Sequence, residues 1–174
     1  MKDVLLGKVG VRDESLIIME HEQAHIHNGD AFSARVYNAA LGASAALYIE
    51  IIVPATKKDI HLKEVGLYTT GSIATFTMLE APAITDGTTP VPVLNRNRCC
   101  GRDSILTLFS DPSGISGGVV MDEYALGSGG NVSGGGDRYG LLGWMLKPET
   151  KYLLRLVNDA VGAETLYLRT FWHE

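Results

Sequence analysis

Alternation of apolar and polar residues with a period of two is the feature that most limits the fold of this chain. In the segment ALYIEIIV, Leu47, Ile49, Ile51 and Val53 fall on one face of an extended chain, because successive side chains of a strand point to opposite sides of the sheet. Pro54 follows and predicts the end of the strand, since proline cannot donate to a ladder of backbone hydrogen bonds. The segment is therefore predicted to be a strand with one buried face.

Further segments share this alternation and are separated by turn-forming pairs such as Asp86-Gly87 and Asp111-Pro112. They are AFSARVYN, DIHLKEVGLYT, SIATFTMLE, DSILTLFS, VVMDEYALG, YGLLGWML, KYLLRLVN and TLYLRTFWHE. Many short strands between turns are typical of a sandwich or a barrel, and no long segment after residue 30 has a convincing helical period. We predict an all-β protein, an antiparallel, jelly-roll-like β-sandwich of about nine strands.

The first thirty residues differ from the remainder. The segment DESLIIMEHEQAHIH has the residues of a helix start, with Asp13 or Ser15 as the cap, whereas its apolar cluster LIIM also fits a short strand. Both interpretations stay open at this point. A chain of 174 residues is long enough for one domain, so we predict an N-terminal arm or edge segment over residues 1–30 and a β-sandwich over residues 31–174.

Glycine occupies about half of the stretch LGSGGNVSGGGDRYG at residues 126–140. A phosphate-binding loop needs Lys followed by Ser or Thr at the start of a helix, but here the strand-like RYGLLGWML follows. Roughly 35 residues remain after the stretch, too few for a separate core. It is therefore predicted to be a long loop between two strands, either a mobile hairpin tip or a contact loop that assembly orders.

Charge and composition argue against several classes of partner. The net charge is −5, whereas binding to nucleic acid requires clustered lysine and arginine residues. No apolar run approaches the roughly 20 residues of a membrane span, so no membrane partner is expected and synthesis is expected in the cytosol. Cys99 and Cys100 are adjacent, a spacing that strains a disulfide, and they are predicted to be reduced thiols.

The string HEQAH at residues 21–25 matches the H-E-x-x-H motif of zinc proteases letter by letter. In those enzymes the motif lies in the middle of a helix, with a third ligand beyond it. Here only twenty residues precede it, Gly29 follows four positions later, and the remainder reads as strands. A chance match in a polar segment is the preferred interpretation, and a zinc hydrolase is kept as an alternative.

Five segments occur in an order that resembles a known group of proteins: HIHNGDAF, DGTTPVPVLNRNR, SGGG, WMLKPETKYLLRLVN and LYLRTFWHE. The order is similar to that of a group of tailed-bacteriophage virion proteins, small β-sandwich chains encoded among the head genes. The likeness covers roughly residues 20–174 and consists of turn and strand signatures without a catalytic motif. It implies a decoration or cement protein of the capsid.

The resemblance implies binding to the major capsid protein on the outside of the icosahedral shell, as a homo-oligomer such as a trimer or dimer. The protein would then be assembled in the host cytoplasm and reside in the virion. No enzymatic activity, cofactor or metal site is predicted. The residues predicted to contact partners come from the arm, the NRNR segment and the glycine-rich loop: Ile17, His25, His27, Arg96, Arg98, Arg102 and Asn131.

Two further alternatives stay open beside the zinc hydrolase. One is a tail or baseplate component of the virion, or a structural protein of the virion that binds host sugars. The other is a stand-alone sugar-binding module, which would need exposed aromatic side chains. Trp144 and Trp172 are instead predicted to pack in the sandwich core or at its rim.

Overall fold

The computed structural model of the chain describes residues 10–12, 15–17, 21–70, 73–127 and 138–174, with side chains described for residues 23–70, 73–127 and 143–174. The elements in these ranges are one helix and a series of strands. They are β1 (Gly10–Arg12), β2 (Ser15–Ile17), α1 (His21–Asn28), β3 (Ala31–Leu41), β4 (Ala46–Ile52), β5 (Ile60–Thr69), β6 (Ala74–Glu80), β7 (Ala83–Thr85), β8 (Thr89–Pro90), β9 (Val93–Asn95), β10 (Thr107–Ser110), β11 (Ser113–Ser116), β12 (Val119–Leu126), β13 (Arg138–Leu146), β14 (Lys151–Asn158) and β15 (Glu164–His173).

The two larger sheets confirm the predicted all-β sandwich. One sheet has the strand order β13-β5-β15-β3-β9 and the other the order β12-β6-β14-β4-β10-β8. Neighbouring strands within these sheets are antiparallel. The long strands β3 to β6 alternate between the two sheets along the chain, and so do β12 to β15, whereas β6 and β12 are neighbours in one sheet. The resulting orders of the long strands are β3-β15-β5-β13 and β4-β14-β6-β12. This interleaving of two Greek keys is the jelly-roll topology.

Each of the nine segments predicted to be strands forms one, but the predicted number of strands is wrong. After residue 30, the described ranges contain thirteen strands. The additional ones are β7, β8, β9 and β11, each two to four residues long. They lie in stretches rich in proline, glycine and serine, where too few residues are present for a period of two to be visible.

The core lies between the two sheets and consists of alternate residues of the long strands. The face predicted for β4 is buried, since Leu47, Ile49, Ile51 and Val53 are at most 9 % exposed. The ring of Trp172, which is fully buried, stacks on that of Phe32 at 5.9 Å. Burial of each large apolar side chain stabilises the fold by roughly 1.5–3 kcal/mol. Trp144 differs, because 38 % of its surface is exposed at the rim.

The segment 81–118 is an excursion between β6 and β12, which are neighbours in the six-stranded sheet. It crosses to the opposite edge of the sandwich, where β8 and β10 extend one sheet beyond β4 and β9 extends the other beyond β3. The excursion therefore carries the NRNR segment to the place where β3 begins.

The N-terminal segment contains both of the structures that its sequence left open. A short strand at Ser15–Ile17 pairs with Gly10–Arg12, and a helix spans His21–Asn28. The predicted helix cap at Asp13 or Ser15 is wrong, because the apolar cluster pairs as a strand and the helix begins only at His21. The division of the chain into an arm and a sandwich at residue 30 stays a prediction. The glycine-rich stretch, which was predicted to be a loop, falls between β12 and β13 in the chain, and its residues 128–137, which include Asn131, are outside the described ranges. No helix in the described part of the chain is long and apolar enough to cross a membrane.

Candidate functional site

Three segments that are far apart in sequence meet at the end of the sandwich where α1 leads into β3. They are residues 25–31, residues 95–105 of the excursion, and residues 172–174 at the end of β15. The backbone amide of Glu174 donates to the carbonyl of Asp30 at 3.0 Å, and that of Arg96 donates to the carbonyl of Ala31 at 2.8 Å. We call this region the arm end.

Two asparagines of the NRNR segment hold the exit of the helix. Asn95 is buried, and its side-chain amide donates to the carbonyls of Gly29 at 2.9 Å and Arg102 at 3.0 Å. The side-chain amide of Asn97 donates to the carbonyl of His27 at 3.0 Å. The bonds to Gly29 and His27 satisfy carbonyl groups that the end of a helix leaves without an intrahelical partner. Asn95, Asn97 and Arg102 together form what we call the clasp.

The third member of the clasp adds a charged contact. The guanidinium of Arg102 donates to the carboxylate of Asp30 in a partly buried ion pair. Charge-assisted hydrogen bonds of this kind are stronger than those between neutral groups. The clasp therefore fixes the chain direction at residues 27–30, between the helix α1 and the strand β3.

Gly29 is the tightest point of the arm end. Its φ is +74°, in the left-handed region that favours glycine at the end of a helix. A Cβ atom at this position would lie 2.4 Å from Sγ of Cys100, closer than any packing contact allows. Cys100 is half-buried and Cys99 is exposed, and both are free thiols.

A second set of contacts ties the helix and the excursion to the end of the chain. The imidazole of His25 stacks on that of His173, with ring centroids 4.3 Å apart. The carboxylate of Glu174 accepts bonds from the indole of Trp172 at 3.1 Å, the backbone amide of Ile105 at 3.1 Å and the hydroxyl of Ser104. Hydrogen bonds and ring stacking thus join the three segments of the arm end into one packed unit.

The structure brings together five of the seven residues predicted to contact partners. His25, His27, Arg96, Arg98 and Arg102 all belong to the arm end. The side chains of His27 and Arg98 are exposed there. His25 and Arg102 instead serve the internal contacts described above, and Arg96 lies over the ring of Phe171 at 5.0 Å.

The two remaining predicted contact residues cannot be described in this way. Ile17 ends β2, opposite Gly10, and its side chain lies outside the described ranges. Asn131 lies outside them altogether. The role of all seven residues as partner contacts stays a prediction.

The HEQAH string does lie on a helix, α1, as a zinc protease would require. The side chains of His21 and Glu22 are outside the described ranges, and His25 stacks on His173. Among the side chains that are described, no group of three or more His, Cys, Asp or Glu residues is arranged to hold a metal ion.

One surface that the sequence interpretation missed lies on the outer face of the five-stranded sheet. A trough there, which we call the arginine–aromatic trough, is lined by Ser33, Ala34, Arg35, Pro92, Leu94, Tyr167, Arg169 and Phe171. The alternation of β15 contains the signal for it: the core residues Leu166, Leu168 and Thr170 leave Tyr167, Arg169 and Phe171 on the opposite face.

Comparison of the chain with protein-family models, with curated proteins and with solved structures finds no match.

Proposed function

We propose that the protein is a non-enzymatic structural protein of a tailed-bacteriophage virion. It binds the outside of the icosahedral capsid and bridges neighbouring subunits of the major capsid protein. The observation that carries the proposal is the arm end, where HIHNGDAF, NRNR and FWHE, three of the stretches on which the resemblance rests, contact one another. One structural unit therefore requires all three stretches, and this shared requirement supports the resemblance.

The geometry of the arm end suits adhesion. The jelly roll presents exposed His27 and Arg98 beside the clasp, which follows the N-terminal segment in the chain. A segment that starts from a clasped position loses less conformational freedom on binding than one on a loose tether. Many copies on one shell, each with weak contacts, would bind with a combined strength above that of a single contact. A cyclic oligomer would fit a local symmetry axis of the shell.

The proposal predicts that the recombinant protein co-sediments with heads and not with tails, when both are purified from a phage that encodes the chain and lacks the bound protein. Arg98→Glu is expected to reduce the bound fraction at least about tenfold, because it reverses an exposed charge at the arm end. Bound protein is measured after sedimentation at a fixed concentration of particles.

Arg35→Glu is the matched control, since it makes the same change of charge at an exposed position on the side of the sandwich. It should bind heads as the unaltered protein does. Binding to tails alone would replace the proposal by the tail or baseplate alternative. A reduction of the same size for both variants would show that the arm end is not the contact surface.

The zinc hydrolase is tested separately by metal analysis of the purified protein. Stoichiometric zinc that is lost together with stability in the variant His21→Ala/His25→Ala would contradict a purely structural role. The proposal predicts less than one zinc ion per chain. The double variant is expected to lose only the stability that the stacking of His25 on His173 contributes.

A further inference from the structure

At one edge of the sandwich, the short strands β9 and β10 leave part of both sheets uncovered. β9 pairs with β3 only at residues 32–34, and β10 pairs with β4 only at residues 50–52. Between the uncovered edges lies a cavity, which we call the edge notch, lined on its two sides by residues 35–38 of β3 and residues 46–48 of β4. Its volume is about 330 Å³, inside the range of roughly 300–1,000 Å³ that is typical of sites for small organic molecules.

Backbone groups that no described strand pairs with point into the edge notch from both sides. The carbonyl of Ala31 accepts from an amide of the excursion on the β9 side. Since backbone groups of an antiparallel strand point to its two sides in alternation, those of Tyr37 point to the same side. The amide of Val53 donates towards the β14 side, so the backbone groups of Tyr48 point away from β14 and into the notch. Each tyrosine therefore offers a ligand one N–H and one C=O group.

The edge notch also offers apolar surface. Tyr37 is 61 % exposed, which is a high value for an aromatic side chain, and Tyr48 lines the opposite side. Leu47 and Val91 line the notch as well, and both are buried members of the core. An exposed ring beside an apolar bottom suits a ligand that has one apolar face, because burial of that face removes apolar area from water.

Polar side chains of the notch supply both acceptors and donors. One carboxylate oxygen of Asp111 accepts from the hydroxyl of Ser110 at 3.3 Å, so its other oxygen is left to accept. The side-chain oxygen of Asn38 accepts from the amide of Ala40 at 2.9 Å, so its NH₂ group is left to donate. Arg35, which is exposed, adds a second donor. The charges of Arg35 and Asp111 offset each other, so the notch favours a ligand without net charge.

The same geometry disfavours an extended peptide as the occupant. A strand added to β3 would gain a regular ladder only at Arg35 and Tyr37, because the pairing of β3 with β15 becomes irregular between Asn38 and Leu41. At the other end, the register of β9 puts Pro92 opposite Arg35, and this proline lines the notch. A compact ligand with several hydroxyl groups can use the backbone groups and the side chains together.

We propose that the edge notch binds one unit of a neutral saccharide. The apolar face of the sugar ring lies against Tyr37, and the sugar hydroxyl groups exchange hydrogen bonds with Asp111, Asn38 and the backbone of Tyr48. Hydroxyl groups both donate and accept, which suits a site that mixes donors with acceptors. None of the residues that line the notch belongs to the arm end, so this site does not depend on the proposed binding to a capsid.

The test is titration of ¹⁵N-labelled protein, followed by amide chemical shifts. The probes are the methyl glycosides of glucose, galactose and mannose, with glycerol as a polyol that has hydroxyl groups but no sugar ring. At least one glycoside is expected to shift the amides of Tyr37, Asn38 and Tyr48, with a dissociation constant in the millimolar range or below. Glycerol is expected to bind at least about tenfold more weakly, because it has no apolar ring face to bury.

Variants connect the binding to the edge notch. Tyr37→Ala is expected to weaken binding of the sugar about tenfold or more, and Tyr37→Phe by a smaller factor, because phenylalanine keeps the ring. Asp111→Asn should also weaken it, and asparagine tolerates the left-handed backbone at this position, where φ is +61°. Leu94→Ala is the matched control, since Leu94 is exposed in the arginine–aromatic trough and does not line the notch. The side chains changed are exposed, so the variants are expected to fold, and the spectra report folding directly.

Four outcomes would overturn the inference. They are the absence of shifts with all three glycosides up to about 20 mM, equal binding of glycerol, binding that Tyr37→Ala leaves unchanged or that Leu94→Ala weakens equally, and tighter binding of the capped peptide acetyl-Thr-Val-Thr-amide at the same residues. The last result would assign the notch to an extended peptide of a protein partner. Loss of capsid binding in Arg98→Glu with retained sugar binding would separate the two proposals.

Discussion

Gly29→Ala is expected to release the helix α1 from the clasp. An alanine in the left-handed region costs about 1–2 kcal/mol, and Gly29 has a φ of +74°. The new Cβ would also lie 2.4 Å from Sγ of Cys100, and overpacking of this kind costs about 1–3 kcal/mol. We expect docking of the helix to lose about 2–3 kcal/mol in all, because part of the clash relaxes by movement of the loop.

Hydrogen exchange measures this effect at the amides whose bonds depend on the clasp. The amide of Asp30 donates to the carbonyl of His25, and that of Glu174 donates to the carbonyl of Asp30. Their protection should fall by roughly 30- to 150-fold, whereas amides in β14 and β4 should keep theirs, since local opening does not require global unfolding.

Matched variants separate the two causes of the expected loss. Gly101, the residue after Cys100 in the excursion, is at a position where a Cβ atom meets nothing within 4 Å, so Gly101→Ala should leave the exchange rates unchanged. The double variant Gly29→Ala/Cys100→Ala should regain part of the protection, because it removes the sulfur atom but keeps the backbone strain. Native protection in Gly29→Ala would mean that the clasp does not hold the helix.

The long strands could be predicted because each depends on its own residues. The alternation in ALYIEIIV and in TLYLRTFWHE records which side chains face the core, and a strand of seven residues or more contains enough positions to show it. The order of strands in the sheets is different, because it depends on which strands pair at long range. That information is not contained in any single segment, so the prediction went no further than a jelly-roll-like sandwich.

The arm end shows the same division between local and long-range information. The prediction emphasised the arginines of NRNR because exposed charges are typical of partner contacts. In the structure the two asparagines of the same segment, Asn95 and Asn97, donate to the carbonyls of Gly29 and His27. Those carbonyls lie 66 and 70 residues away in sequence. An asparagine that caps a distant carbonyl has no local signature, and only the path of the excursion brings the two together.

The strand β4 was predicted correctly, but the burial of Glu50 on its outer face was not. It lies on the face of β4 opposite the core, where a period of two predicts solvent, yet its exposed fraction is 0 %. The excursion covers it: the backbone amide of Gly87 donates to Oε2 of Glu50 at 2.9 Å. Leu153 and Phe109 are its neighbours on the adjacent strands.

The charges around Glu50 do not compensate fully for its burial. Lys151 is 4.0 Å away from Oε1 and also contacts the carboxylate of Asp86. Burial raises the pKa of Glu50 above its usual value of 4.5, and the negative charge of Asp86 raises it further, whereas the bond from Gly87 and the charge of Lys151 lower it. The folded protein therefore binds this proton more tightly than the unfolded chain does.

Glu50→Gln is expected to stabilise the protein at neutral and alkaline pH. Because the pKa is raised in the folded state, the contribution of Glu50 to stability falls as the pH increases from about 4.5 through the folded-state pKa. Glutamine keeps an oxygen that accepts from Gly87 and carries no buried charge. We expect a gain of about 1 kcal/mol in the free energy of unfolding at about pH 8, because glutamine places no charge in the buried site and Lys151, which is partly exposed, keeps Asp86 as its partner.

Glu80→Gln is the matched control, and its expected effect has the opposite sign. The carboxylate of Glu80 accepts from Nζ of Lys147 at 2.6 Å and from the hydroxyl of Tyr152 at 3.1 Å. The bond from Lys147 is the main cause that lowers the pKa of Glu80 below 4.5, so its stabilising contribution is present above that pH and is lost as the pH falls. Glu80→Gln should therefore destabilise the protein at about pH 8, and its stability should approach that of the unaltered protein in acid.

Urea unfolding of both variants across this pH range measures how the free energy of unfolding of each depends on pH. Destabilisation by Glu50→Gln at alkaline pH would mean that its ion pair with Lys151 outweighs the cost of burial.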